Sequence, residues 1–299
     1  MQAKLDCNPL FIGFGKQAQE YASVLKHYKI KISSVCVTNI NKKKKIFKKF
    51  KIKNHYNNID QALSEQNYNC IFIFLPFDLI EKKIIDIIKN SNVPIYCEKP
   101  ISLSLKKIFE VTNILKKKKN KKFYILYNRN HYKIFKVLKS FLDKDKFKSE
   151  IFIPEKVKDT IKNININLKG KIKYHLTSHW LNFFFSLQNV KLIQPSYSKG
   201  SFYYQFKNTS IKITPNGKGR IRACYRSKKY ILLLETLEKL TIFKINKGKL
   251  IKYKSFNEKL DNRFKPGVKN LIDDLLKNKI KNNTKKILDL YKSLEKLNF

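Results

Sequence analysis

Two sets of side chains in this sequence have types and spacings suited to acid–base chemistry. Lys99 lies in the tripeptide Glu98-Lys99-Pro100, directly after an apolar run. His175, His179 and Asn182 are spaced by four and three residues, which places them on one face of a helix. A lysine cation stabilises a developing alkoxide or polarises a carbonyl, and a neutral imidazole accepts a proton near neutral pH. These residues predict chemistry at a hydroxyl or carbonyl group.

The same residues also have plainer interpretations. His175 and His179 at i and i+4 could bind zinc, but no third ligand is evident, and the sequence predicts no metal site. They could instead be ordinary polar residues of a helix beside Trp180 and Phe183–Phe185. Lys99 could be one surface lysine among many.

The elements that must position these side chains begin with a glycine-containing turn. The apolar run Pro9–Ile12 ends in Gly13-Phe14-Gly15, and a helical pattern opens at Lys16-Gln17-Ala18. Gly13 permits a tight turn, Gly15 lets a pyrophosphate approach the backbone, and Ala18 lets the helix pack closely on the strand. The helix N-terminus adds unpaired N–H groups and a positive dipole end. This stretch predicts a dinucleotide site; a glycine turn in some other α/β protein is the alternative.

The end of the second strand bears on which dinucleotide binds. The run Ile30–Val37 is followed by Thr38, Asn39 and then Lys42–Lys45. NAD binders usually place an acidic residue there to hold the ribose 2′-hydroxyl. Neutral residues followed by cations suit a 2′-phosphate, which favours NADP over NAD, unless the lysines are merely a solvated helix start.

Strands alternate with helices up to about residue 127, which predicts a doubly wound parallel sheet. We therefore expect an α/β protein with a Rossmann domain over residues 1–127. Beyond it, an α+β domain over 128–299 should contain a largely antiparallel open sheet and one inserted helix, with the last helices packing back on the first domain. The strands expected in this second domain are Glu150–Ile153, Lys191–Ser196, Ser201–Lys207, Ser210–Thr214, Arg220–Tyr225, Lys229–Glu235 and Leu240–Ile245.

The arginines are informative because they are few. Arg220 and Arg222 should alternate onto one face of a strand, with Arg226 following. A paired guanidinium face could hold a phosphate or carboxylate. Pairing with acidic residues across the sheet, or a subunit contact, is the favoured alternative.

Composition excludes several classes of protein. The net charge is +43, but only five of the 65 lysine and arginine residues are arginine, and the lysines are spread along the chain without a nucleic-acid-binding motif. We expect weak, salt-sensitive attraction to polyanions and no specific nucleic acid. The five cysteines lack C-x-x-C spacing and resemble buried apolar residues of a reducing compartment. No run is long enough to span a membrane, and no signal peptide is evident, so a cytoplasmic location is expected.

Four motifs stand in order: Gly13-Phe14-Gly15 with Ala18, Glu98-Lys99-Pro100, Asn128-Arg129-Asn130 and H-x-x-x-H-x-x-N. With them the whole chain resembles the glucose-fructose oxidoreductase / inositol dehydrogenase / MocA (Gfo/Idh/MocA) family. The resemblance implies NAD(P) binding, hydride transfer to or from a sugar-like carbinol, and a homo-oligomer formed through the C-terminal sheet. The cofactor contacts it implies are Gly13, Phe14, Gly15, Lys16, Gln17, Ala18, Thr38, Asn39, Lys42, Leu75, Pro76, Glu98 and Lys99.

The resemblance also assigns roles in the reaction. Lys99 would lie beside the nicotinamide and hydrogen-bond the reacting oxygen. Because a neutral histidine suits transfer of the hydroxyl proton at physiological pH, whereas a lysine needs its pKa lowered, we predict that His179 carries the proton. The family's motif D-x-G-x-H-x-x-D maps onto His175, Thr177, His179 and Asn182, so both carboxylate positions are changed. His175, Asn182 and Arg129 would orient the substrate. The leading hypothesis is an oxidoreductase of sugars or nucleotide-sugars; the others are a cofactor-binding regulator without turnover and a polyanion-binding protein.

Overall fold

Short, apolar segments in the first part of the chain form a six-stranded parallel sheet. Its strands are β1 (Pro9–Ile12), β2 (Ser34–Cys36), β3 (Asn54–Tyr56), β4 (Cys70–Ile73), β5 (Ile95–Glu98) and β6 (Phe123–Leu126). The strand order is β3-β2-β1-β4-β5-β6, and all neighbours are parallel. Every residue of β1 and β4 is buried, as expected for central strands covered on both faces. The predicted Rossmann sheet is confirmed.

The computed structural model describes residues 7–65, 67–118, 122–163, 170–190, 193–258 and 263–298. The chain forms two compact units. The first comprises Met1–Asn128 and Arg263–Leu288, and the second comprises Arg129–Asn262 and Asp289–Phe299. In the described ranges, no helix is both long enough and apolar enough to cross a membrane.

Ten α-helices are described along the chain. They are α1 (Lys16–His27), α2 (Lys44–Phe50), α3 (Ile59–Ser64), α4 (Phe77–Lys89), α5 (Leu105–Lys117), α6 (Lys133–Leu142), α7 (Val157–Asn163), α8 (Ser178–Gln188), α9 (Val268–Leu276) and α10 (Thr284–Leu294). In the first unit α9 packs on α1, where Leu271 and Ile272 join the apolar cluster that contains Tyr21 and Val24. A segment far down the chain therefore completes the core of the first unit.

The second unit is built on an eight-stranded sheet. Its strands are β7 (Lys148–Glu155), β8 (Ser196–Ser198), β9 (Ser201–Phe206), β10 (Thr209–Pro215), β11 (Arg222–Arg226), β12 (Tyr230–Glu235), β13 (Lys239–Asn246) and β14 (Lys249–Asn257). The order is β14-β13-β12-β11-β7-β10-β9-β8. Only the β7–β10 pair is parallel, which confirms the predicted, largely antiparallel sheet. Helix α8 packs on this sheet through Phe185, whose ring lies edge-on to that of Tyr204.

Several predicted elements differ from those observed. The strand predicted over Ile30–Val37 is confined to β2, and that predicted over Lys191–Ser196 is absent over residues 193–195, with residues 191 and 192 outside the described ranges. The sequence pattern missed β14, whose residues are nearly all exposed and so lack an apolar alternation.

Candidate functional site

Gly13 shapes the turn between β1 and α1. Its φ of +86° lies in the left-handed region, and a Cβ atom there would stand 2.6 Å from the carbonyl oxygen of Phe74. The Gly13 N–H donates to the carbonyl of Cys36 at 2.8 Å. This glycine is therefore required by the packing of three adjacent strand ends, whatever the site binds.

Gly15 differs, because the fold itself places nothing against it. It is the N-cap of α1, and a Cβ atom built there meets no heavy atom within 4 Å. No side chain caps the helix, and its first turn holds no acidic residue. Lys16 is exposed, and Ala18 is fully buried under the helix. The N-terminus of α1 thus keeps donors and space for an anion.

The Phe14 side chain belongs to the core. It is 2% exposed, and its ring packs edge-on against Phe11 and Phe50. Only the backbone of Phe14 is therefore available to a ligand.

The other predicted cofactor contacts lie in the segments that follow β2 and β4. Thr38 and Asn39 are exposed after β2, and the Asn39 side chain accepts a hydrogen bond from the Lys42 N–H at 3.0 Å. Leu75 and Pro76 follow β4, and Pro76 is exposed. All of these residues lie beyond carboxyl ends of parallel strands, the edge at which open α/β sheets bind ligands.

Glu98 ends β5 at the same edge of the sheet, and Lys99 directly follows it. Glu98 Oε2 is buried and has no hydrogen-bond partner among the described residues. Burial raises the pKa of Glu98 to about 7, although Lys99, Lys265 and Gln17 favour its ionised form. Lys265 Nζ donates to Gln17 Oε1 at 2.5 Å. The sequence analysis missed Lys265, because only the fold brings a residue that precedes α9 to the start of α1.

The histidine motif lies in the second unit, where helix geometry changes. His175 lies in a π-helical turn, Lys173–Thr177, that leads into α8. His179 and Asn182 are on α8 and are 9% and 7% exposed. Asn182 Nδ2 has no hydrogen-bond partner in the described part of the chain. A π-turn of this kind often marks a functional position in a helix.

A buried carboxyl group contacts the start of this helix. Glu155, the last residue of β7, is 1% exposed and accepts a hydrogen bond from Thr177 Oγ1 at 2.8 Å. Burial raises the pKa of Glu155 to about 7, and Thr177, Trp180 and Arg129 partly offset this. Sequence reasoning missed Glu155, since a single glutamate at a strand end carries no local signal. Thr177, where the resembled motif has glycine, supplies its hydroxyl partner.

Arg129 packs against the same helix. Its guanidinium carbon lies 3.7 Å from the centre of the Trp180 ring, and Trp180 follows His179 directly. The neighbouring Asn130 donates through Nδ2 to Ser186 Oγ at 3.3 Å. Since Ser186 lies four residues after Asn182 on α8, Asn130 contacts the helix face that carries Asn182.

The structure thus brings the predicted residues together in two groups. The predicted cofactor contacts and Lys99 lie in the first unit; Arg129, His175, His179 and Asn182 lie in the second. Among the described residues no three His, Cys, Asp or Glu side chains are grouped to hold a metal ion.

The predicted arginine pair is not formed on one strand. Arg220 precedes β11, and Arg222 is the first residue of that strand, so the strand face is shared by Arg222 and Arg226 instead. The Arg222 guanidinium carbon lies 5.2 Å from the centre of the Phe152 ring, and Arg222 pairs in register with Glu235. This register is what the alternative of pairing with an acidic residue across the sheet expects.

Known structures resemble this chain over most of its length. The dehydrogenase MviM from Clostridium difficile is 18% identical, with a TM-score of 0.76 and coverage of 97% of this chain and 98% of that one. An oxidoreductase from Agrobacterium radiobacter in complex with NAD+, L-tartaric acid and magnesium is 11% identical, with a TM-score of 0.76 and coverage of 97% and 94%. The super-repressor mutant of Gal80p from Saccharomyces cerevisiae is 11% identical, with a TM-score of 0.73 and coverage of 90% and 84%. At these identities the likeness establishes the fold.

The sequence itself matches at the level of a family. No curated protein matches it at a significant level. Residues 7–126 match the family described as Gfo/Idh/MocA, the oxidoreductase family with an NAD-binding Rossmann fold. By this match, the Rossmann domain is similar to that of the Gfo/Idh/MocA family of oxidoreductases.

Proposed function

We propose that this protein is an NAD(P)-dependent oxidoreductase that transfers hydride to or from a carbinol or carbonyl carbon of a sugar or nucleotide-sugar. One observation carries the proposal. The open turn at Gly15 and the Glu98-Lys99 pair both follow carboxyl ends of parallel strands, at one edge of the sheet. A dinucleotide bound at that edge places its reactive end within reach of a cation.

Three features of the first unit fit the cofactor. The space at Gly15 and the uncapped N-terminus of α1 suit a pyrophosphate. Glu98 Oε2 is a buried acceptor that lacks a partner among the described residues and suits a hydroxyl or amide donor. Positions 38 and 39 carry no acid and Lys42 is adjacent, which favours the 2′-phosphate of NADP over NAD.

The chain's own residues then supply the acid–base chemistry. The nicotinamide ring, when bound, accepts or donates the hydride. Lys99 holds the reacting oxygen by a charge-assisted hydrogen bond and stabilises the negative charge that develops on it. His179 accepts the hydroxyl proton during oxidation and returns it during reduction. Asn182, His175 and Arg129 orient the substrate.

A two-step experiment tests this proposal. Cofactor fluorescence on titration with NADPH and NADH establishes whether a dinucleotide binds. A panel of free sugars and UDP- and GDP-sugars then establishes turnover, followed at the nicotinamide absorbance. Absence of cofactor binding at moderate salt would reject the proposal.

A cofactor-binding protein without turnover is the second candidate. Both carboxylate positions of the resembled motif are replaced, by His175 and Asn182. The likeness to a Gal80p super-repressor adds support. Tight cofactor binding with no turnover across the panel would favour this candidate.

We also propose a second copy of the chain as partner, docked on the open face of the eight-stranded sheet. A shallow cavity of about 790 Å³ lies there and is lined partly by Phe152, Tyr203 and Leu233. Glu150 and Glu235 alternate there with Lys212 and Arg222, so two copies of this face are complementary in charge.

The cysteines form no disulfide, and four of the five are buried, which supports a reducing, cytoplasmic location.

A further inference from the structure

The guanidinium of Arg129 is only partly neutralised within its unit, where Tyr132, Glu238 and Glu155 favour its charged form. No carboxylate in the described part of the chain forms an ion pair with it, and its Nη1 atom is buried without a hydrogen-bond partner. A guanidinium remains charged in proteins, and a largely buried charge that forms no close ion pair is costly. A fold retains such a group where a ligand supplies the missing charge.

Glu155, a buried carboxylate that favours the charged form of Arg129, already has other partners. Its Oε2 accepts from Thr177, and it lies at the very end of β7, where the Lys156 N–H also favours its ionised form. It makes no ion pair with Arg129 among the described residues. Glu155 therefore holds Thr177 at the start of α8 and favours the Arg129 charge without forming a close ion pair with it.

The stacking of Arg129 fixes which part of it a ligand can reach. One face of the guanidinium is covered by the Trp180 ring at 3.7 Å. Stacking covers a face of the guanidinium but not its edge, where the N–H groups point outward in the plane of the group. This fork-like edge binds a planar anion with two parallel hydrogen bonds. A second buried donor, Asn182 Nδ2, also lacks an acceptor in the described residues, and Asn130 ties the Arg129 segment to the same helix face.

We propose that this site selects a substrate that carries a carboxylate, so that the enzyme acts on a hydroxy acid of the sugar series, such as an aldonate or uronate, in preference to a neutral sugar. The inference rests on the proposed function, in which the second unit binds the substrate. Arg129 receives the carboxylate in the plane of its fork, and Asn182 adds a neutral donor. One face of the guanidinium is already covered, so the ligand meets its edge. A planar carboxylate, rather than a tetrahedral phosphate, matches that edge.

Matched pairs of compounds test the proposal on the full chain. D-gluconate and D-glucitol differ only in a terminal carboxylate, as do D-glucuronate and D-glucose. We expect the acid of each pair to bind about tenfold more tightly than its neutral counterpart in calorimetric titrations, the size of one charge-assisted contact. D-glucose 6-phosphate is the third arm, and preferential binding of the phosphate would overturn the assignment of a carboxylate.

Variants distinguish the effect of Arg129 from that of the overall positive charge of the protein. Arg129→Gln should reduce the acid-to-neutral ratio to about one, and Arg129→Lys should leave it intermediate, because the charge remains but the fork is lost. Arg226→Gln is the matched control, an exposed arginine of the same unit. If Arg129→Gln fails to fold, Asn182→Asp gives the second readout, because an added negative charge should weaken the acid selectively. An unchanged ratio in Arg129→Gln, or in Asn182→Asp where that variant serves, overturns the proposal.

Titration with NADPH distinguishes a failure of this inference from a failure of the proposed function. NADPH titration of the same variants should give unchanged affinity. If NADPH binds and the acid-to-neutral ratio of the wild type is one, the oxidoreductase proposal stands and the carboxylate inference fails. If NADPH does not bind, the proposed function fails by itself.

Discussion

Gly13 and Gly15 lie two residues apart and limit the chain in different ways. Gly13 has a positive φ and no room for a Cβ atom beside Phe74, whereas Gly15 has an extended backbone and open space around it. The first glycine is therefore a requirement of the fold, and the second, on our proposal, is a requirement of the ligand.

This difference gives the first prediction. Gly15→Val should abolish NADPH binding, because the side chain would occupy the space of the pyrophosphate, while the melting temperature stays close to that of the wild type. Gly13→Ala is the contrasting variant and should destabilise the fold through its clash and backbone strain, by about 2 kcal/mol or more. Fluorescence titration and thermal melts measure the two effects. Wild-type NADPH affinity in Gly15→Val would remove the dinucleotide assignment.

Lys99 and His179 carry the second prediction. Lys99→Ala should reduce kcat about 100-fold or more with little change in cofactor affinity, because its charge acts on the reacting oxygen. His179→Ala should flatten the dependence of rate on pH near neutrality. Steady-state kinetics from pH 5 to 9 provide the measurement, with Lys106→Ala, an exposed lysine of α5, as control. A His179→Ala profile that keeps the wild-type shape would exclude His179 as proton carrier.

Glu155 gives a prediction with a definite sign. Burial raises its pKa to about 7, above the value near 4.3 of an unfolded glutamate, so the native state holds the proton more tightly. Ionisation of the buried Glu155 carboxyl therefore lowers the free energy of unfolding. This penalty is absent below about pH 4, grows as the pH rises and reaches about 3 kcal/mol above pH 7. The free energy of unfolding of Glu155→Gln, measured relative to that of the wild type, should therefore increase as the pH rises from 5 to 8.

Urea denaturation at several pH values measures this gain. Glu150→Gln, an exposed carboxyl on the same strand, is the matched control. A difference between Glu155→Gln and the wild type that stays constant, or falls as the pH rises, would contradict the assignment.

At the scale of elements, the sequence predicts those parts whose burial pattern is local. The bounds of β1 agree residue for residue with the apolar run Pro9–Ile12, since this strand is fully buried. The strand β14 escapes prediction because its exposed residues have no periodic signal. Glu155 and Lys265 escape for a different reason: their neighbours in space are distant in sequence, and only the assembled fold gives them a role.

The end of β2 decides the choice of cofactor. NADPH should bind about tenfold more tightly than NADH, because Lys42 and its neighbours attract a 2′-phosphate, and the preference should shrink at high salt because these charges are exposed. Thr38→Asp should reverse it by offering a carboxylate to the 2′-hydroxyl. Titrations at two salt concentrations provide the test, with Lys89→Glu on α4 as the charge control. NADH binding as tight as NADPH binding at moderate salt would reject the preference.

At the scale of the whole molecule, the charge of +43 sets solubility and weak attraction to polyanions rather than specificity. Against this repulsive background, self-association needs a face with both apolar area and both signs of charge. The open face of the eight-stranded sheet has these properties, with Leu233 38% exposed within it.

Leu233→Asp should therefore convert an oligomer into a monomer while the fold is retained, because a carboxylate would be buried at the centre of the contact. Phe109→Asp is the control, an exposed apolar residue of α5 in the first unit. Sedimentation velocity measures the mass of each variant. A Leu233→Asp variant that remains oligomeric would place the contact elsewhere.

The position of α9 in the first unit sets the order in which the protein can be completed on the ribosome. Helix α1 leaves the exit tunnel early, but the apolar side chains that cover it, Leu271 and Ile272 among them, are synthesised only after the entire sheet of the second unit. The nascent dinucleotide-binding unit therefore exposes an uncovered apolar face for most of translation. The larger part of the second unit, Arg129–Asn262 with its whole sheet, lies in the chain between the two parts of the first, so its strands can pair while the first unit is still unfinished.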